Sequence, residues 1–146
     1  MSFTRGDMFD LRTGLELAKA NYQRAKGKRG LEGVALLSLG EGHMSVANRS
    51  TNPKQLDVAK NAVEAALRRI PKASPLENWV SAHVKYGEIV WKIAERDKDV
   101  PLLQSAVWKL EAAKPIALQV GGIYFSQLLA KGINLLKQMG KTLKSF

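Results

Sequence analysis

Apolar residues recur at steps of three and four along nearly the whole chain, and no segment alternates apolar and polar with a period of two between hairpin turns. That pattern restricts the protein to helices packed on helices. A first helix is expected from about Asp7 to Lys26. Met8, Leu11, Leu15, Ala18, Tyr22 and Ala25 lie on one face of it, and Gly27 and Gly30 mark its end. A second, weaker helix is expected from Leu31 to about Ala47. Gly33, Gly40 and Gly42 each cost it about 1 kcal/mol relative to alanine, and Gly40-Glu41-Gly42 is a candidate break.

Asn52 followed by Pro53 suits the cap and first position of a third helix that runs to Ile70, where Pro71 stops it. Leu56, Ala59, Val63, Ala66 and Ile70 form its inner stripe. Ser74-Pro75-Leu76-Glu77 is a capping box opening a fourth helix, which continues to about Arg96 and carries Trp79 and Trp91 as a large buried payload. Asp97-Lys98-Asp99 is a turn, and Asp99 can cap a fifth helix that Lys114-Pro115 closes. The last helix is expected from about Gly122 to Leu143, with Phe125, Leu128, Leu129, Gly132, Leu136, Met139 and Leu143 along one side.

These elements predict an all-α protein: an N-terminal amphipathic helix acting as an arm, then an antiparallel bundle of about four to five helices. The predicted division places the arm and its glycine-rich connection in residues 1–50 and the bundle in 51–146. Ala62-Val63 recurs as Ala106-Val107, and Tyr86-Gly87 is echoed by Lys131-Gly132, an offset near that of tetratricopeptide or HEAT repeats. Two imperfect copies fall below the three such architectures need, and chance echo in an alanine-rich helical chain explains them equally well.

The 146 residues include 23 basic and 13 acidic side chains, a formal charge of +10. Such a surface favours polyanions, nucleic acid or an anionic membrane, although solubility alone is the plainer account. The longest uncharged run, Pro115 to Ala130, is shorter than the roughly 20 residues a membrane span needs and contains Gln119, Ser126 and Gln127. No secretory or transit segment is expected at the start of the chain.

Cysteine is absent, so disulfides, thiolate metal sites and thiol nucleophiles are excluded. His43 and His83 have no second ligand at helical spacing, and both are read as structural or solvated. The carboxylates read as caps and surface ion pairs rather than acid–base pairs. Gly121-Gly122 lacks the further glycine and lysine of a phosphate loop. No catalytic residue, metal or cofactor is expected, and the chain is read as a non-enzyme.

One basic pattern is more informative. Arg5, Arg12, Lys19 and Lys26 are spaced by seven, which on a helix lines them along one edge. Arg24, Lys28 and Arg29 add charge at its far end, and Lys131, Lys137, Lys141 and Lys144 form a second cluster. An amphipathic helix with such an edge can follow a phosphate backbone while its other side packs on protein. Asp10 and Glu16 dilute it, and a merely solvated face is the competing reading. The stripe itself holds no Asn or Gln between its arginines, Arg5 and Arg12, that would suggest reading of base edges. The uncharged run supplies the candidate self-association residues Val120, Ile123, Tyr124, Phe125 and Leu128; an intramolecular core contact is the alternative.

Taken together, the basic edge, the glycine hinge at Gly27 and Gly30, and the helical body from Pro53 to Phe146 resemble the coat proteins of filamentous archaeal viruses in length, charge and helix order. The resemblance implies a helical arm against double-stranded DNA, a helical bundle outside it, assembly with itself or a paralogous subunit, and a place in the virion. In it, the four-residue edge contacts phosphates and the uncharged run packs between subunits. The acidic Asp7, Asp10 and Glu16 depart from a purely basic arm. The competing classes are a helical-repeat-like module that binds protein, and a basic accessory subunit of a large complex; either would be cytoplasmic.

Overall fold

A computed structural model describes residues 5–28, 31–49, 52, 54–70, 76–120 and 122–144, with side chains for all of these except 5–9 and 141–144. Among the described residues all regular structure is helical. The chain forms two compact units, Met1–Ala73 and Ser74–Phe146. The expected division at residue 50 is therefore corrected: the third helix belongs with the first two.

The first unit holds α1 (Arg5–Ala25), α2 (Glu32–Arg49) and α3 (Lys54–Arg69), with α2 packed against both of the others. Along α1, Leu15 and Ala25 are buried and Leu11, Ala18 and Tyr22 are half-buried, as the three-four spacing requires. Gly27 takes a left-handed φ of +81° just past the helix end, a conformation glycine adopts without a Cβ clash. Its N–H donates to Glu32 Oε2 at 3.2 Å.

Contrary to the expected break, α2 runs unbroken through Gly40-Glu41-Gly42. Its glycines are spacers. A Cβ on Gly33 would lie 2.7 Å from Ile70 Cγ1, and one on Gly40 would lie 2.5 Å from Val63 Cγ2, so both admit α3. Gly42 faces Leu15 of α1 instead. The propensity lost at each glycine is offset by apolar contact that a larger residue would prevent. As numbers rise along α2 they fall along α3, so these two helices run in opposite directions.

Asn52 Oδ1 accepts the Lys54 N–H at 3.0 Å, which caps α3 as expected. Ala59, Ala62, Val63 and Ala66 are buried, and Arg69 Nε meets Glu32 Oε1 at 2.9 Å where α3 ends beside the start of α2. The short connection at Asn52 and the glycine-lined face of α2 explain why α3 folds back here rather than joining the body.

The second unit holds α4 (Leu76–Asp97), α5 (Val100–Ala117), a 3-10 turn (Leu118–Val120) and α6 (Ile123–Lys144); each of the three helices contacts the other two. The expected capping box at Ser74 and Pro75 lies outside the described residues. Ile89, Val90, Leu103, Leu110 and Phe125 are fully buried among them. The two tryptophans of α4 differ from the expected pair of buried rings. Trp91 is buried, with its Nε1–H donating to the Leu128 carbonyl at 2.9 Å. Trp79 is half-buried and lies with its ring centroid 4.1 Å from that of His83.

Asp99 serves both sides of the α4–α5 turn. Its N–H closes α4 on the Ala94 carbonyl at 3.0 Å, and its Oδ1 accepts the Leu102 N–H at 3.0 Å to open α5. Pro115 does not end α5, which continues to Ala117. Glu111, whose carbonyl loses its partner to the proline ring, is exposed, as is Pro115, so water can satisfy the carbonyl.

Candidate nucleic-acid interface

The stripe that seats α1 on α2 leaves the remaining circumference of α1 in solvent. Arg12 and Lys19 are exposed there, seven residues and roughly 10 Å of helix rise apart. Lys26 is exposed in the turn after the helix, and Arg24 and Lys28 are exposed close by. The Arg24 guanidinium donates to Asn21 Oδ1 at 2.6 Å. Arg5 opens α1, but its side chain lies outside those described, and Arg29 lies outside the described residues altogether.

Lys19 meets Glu16 at 3.1 Å, with about half of the lysine side chain and most of the glutamate side chain in water. A pair so exposed contributes little and leaves the ammonium able to exchange partners. Five of the expected cations are thus brought together along α1 and its following turn.

Lys131 and Lys137 are exposed on α6, in the other unit. Lys141 and Lys144 fall in the last turns of the same helix, where their side chains are not among those described. α6 also borders a shallow groove of about 390 Å³ that Glu95 of α4 lines together with Gln127, Lys131, Asn134 and Gln138.

The expected self-association set divides. Ile123 is 74% exposed and Tyr124 56%, and Val120 is also at the surface. Phe125 and Leu128 are corrected to core residues, 1% and 6% exposed. They follow the helical period of α6 inward, and Leu128 packs beside Gly87 of α4. Tyr124 Oη donates to Glu88 Oε1 at 2.9 Å, and Lys85 stands 3.6 Å from Glu88 Oε2. The Glu88 carboxylate that accepts this hydrogen bond holds the phenol above its ordinary range.

A groove between the end of α1 and the start of α2 was not anticipated. It measures about 350 Å³; its apolar lining comes from Ala25, Leu31, Val34 and Ala35, with Arg24 and Lys28 beside them. The signal was present in Leu31 and Val34, large apolar residues beyond those needed to pack α2 on its neighbours.

Both histidines are buried. Burial pushes His43 below its ordinary range; the Gln55 side chain opposes that shift and Lys19 adds to it. Neither His43 Nδ1 nor Gln55 Oε1 has a hydrogen-bond partner. His83 is also pushed down by burial, although its Nδ1 lies 2.8 Å from the Trp79 carbonyl, a bond that favours the protonated ring. Among the described residues no three of His, Asp and Glu gather as a metal site, and no helix is long and apolar enough to cross a membrane. Comparison with family models, curated proteins and solved structures finds no match to this chain.

Proposed function

We propose that the protein is a structural, non-enzymatic component that binds the phosphate backbone of nucleic acid, double-stranded DNA in the first instance, without selecting sequence, and assembles with further copies of itself. A filamentous virion coat is the concrete form of this reading. In it α1 is the arm against the DNA, and the virion is the location. The observation that carries the reading is the exposed row of cations on α1, on a helix whose apolar side is already occupied by α2. A cation row at steps of roughly 10 Å can follow a phosphate backbone while the other side of the helix packs on protein.

The test is binding to random-sequence duplex DNA across a salt series, with each sample imaged for filaments. The affinity of the natural chain is expected to fall steeply with salt. Replacing Arg12 and Lys19 by alanine is expected to weaken binding equally on unrelated sequences and to reduce the slope of log affinity against log salt by about 0.9 for each phosphate contact removed. Binding unchanged by the double substitution would overturn the role assigned to this edge.

A further inference from the structure

We infer that the groove between α1 and α2 binds the C-terminus of a partner protein, with the terminal carboxylate at Arg24 and Lys28 and an aliphatic last side chain on Leu31 and Val34. This site is separate from the cation row. At 100° per residue Arg24 lies roughly 140° round α1 from Lys19, on the other flank of the stripe that seats the helix on α2.

Charge selects an anionic occupant. Arg24 and Lys28 are both exposed at the groove, and no carboxylate is among its lining residues. Glu32, the acid nearest in sequence, is already engaged, by Arg69 at 2.9 Å and by the Gly27 N–H at 3.2 Å. The Arg24 guanidinium gives one N–H to Asn21 and has others for both oxygens of a carboxylate.

Apolar surface selects what the anion carries. Leu31 is 58% exposed and Val34 36%, and Ala25 and Ala35 complete the apolar lining. A bare phosphate would leave that surface in water. An anion with an apolar group beside it would cover it.

The order of groups selects a chain terminus among such anions. Gly42 of α2 faces Leu15 of α1 while a short turn joins Ala25 to Glu32, so the two helices run in opposite directions. Asn21 and Ser38, which also line the groove, therefore both fall at its end away from the turn. A protein C-terminus presents the matching order: a carboxylate, its last side chain, then a peptide group that the Asn21 amide and the Ser38 hydroxyl can bond. A hydrocarbon tail has nothing to offer those two side chains. An internal acidic segment would continue past Ser38 onto Glu41, which is exposed about one turn further along the same face of α2.

The test is titration of the full chain, read by amide NMR shifts, with acetyl-Ser-Gly-Leu as the free acid, the same peptide as its C-terminal amide, acetyl-Ser-Gly-Gly as the free acid, and hexanoate. The free leucine peptide is expected to give saturable shifts confined to the groove residues. Loss of the terminal charge and loss of the leucine side chain are each expected to weaken binding at least tenfold. Hexanoate is expected to bind at least tenfold more weakly than the leucine peptide. Arg24→Gln with Lys28→Gln is expected to abolish the preference for acid over amide, and Leu31→Ser to reduce the preference for leucine over glycine. The spectrum of each variant checks that it folds, and the comparison of peptides on the natural chain needs no variant. No saturable shift with the free leucine peptide, equal affinity for acid and amide, or hexanoate matching the peptide would each overturn the inference. The phosphate reading stands or falls apart from it, since binding of duplex DNA through Arg12 and Lys19 neither requires nor excludes an occupied groove.

Discussion

Gly132 of α6 lies directly against the indole of Trp91 on α4, so closely that a Cβ there would fall 2.3 Å from Cζ2 of the ring. The same indole donates its N–H to the Leu128 carbonyl one turn earlier on α6. The buried ring is fixed at both ends and cannot retreat from an added methyl group. Gly132→Ala is expected to destabilise the second unit by about 3 kcal/mol, combining overpacking with loss of a buried hydrogen bond. Gly14→Ala is the control. Gly14 is helical with open space around it, so this change is expected to stabilise the first unit by up to about 1 kcal/mol. Urea unfolding of the two variants decides; equal effects would sink the account of Gly132.

The α4–α5 turn predicts opposite effects at neighbouring residues. Lys98 adopts a φ of +55°, where a side chain is strained, so Lys98→Gly is expected to gain up to about 1 kcal/mol. Asp99→Ala removes the cap on Leu102 and is expected to lose about 1 kcal/mol. Thermal unfolding should move the two midpoints in opposite directions.

Acid is expected to weaken the fold through its two buried histidines. Both have folded pKa values below the ordinary 6.5, so the unfolded chain binds protons more readily than the folded one. Their destabilising contribution is absent well above pH 6.5. It sets in as pH falls through 6.5 and grows until the folded-state values are passed. Urea midpoints measured downward from pH 7.5 should show this decline, and replacing both residues by glutamine should flatten it. A decline that persists in the double variant would assign it to other groups.

Tyr124 offers a spectroscopic check on its bond to Glu88. Glu88→Gln removes the carboxylate that accepts the phenol's hydrogen bond, and with it a negative charge, so the titration of Tyr124 should move down toward the ordinary 10.0. Ultraviolet titration of the natural chain and the variant measures this directly. An unchanged titration would mean that the Tyr124–Glu88 bond does not form in solution.

The helices were legible in the sequence because period alone places Leu15, Val63, Leu110 and Met139 on inward faces. Three features were not, and each depends on what lies across a contact. Gly40 reads as a breaker until Val63 is seen against it. Pro115 reads as a stop unless Glu111, whose carbonyl it leaves without a helical partner, is known to be exposed. The uncharged run reads as one surface, although the turn of α6 sends Phe125 and Leu128 inward and Ile123 and Tyr124 outward. The candidate cation row was visible as a spacing of seven. The adjoining groove was not, since its lining comes from two helices whose packing the chain alone does not reveal.

Asp99 carries a consequence for how the second unit comes apart. One residue supplies the last bond of one helix from its backbone and the first bond of the next from its side chain. Neither helix end can fray while that residue keeps both partners. In hydrogen exchange, the amides of Asp99 and Leu102 should therefore open as a single event with one shared protection factor, and Asp99→Ala should uncouple them.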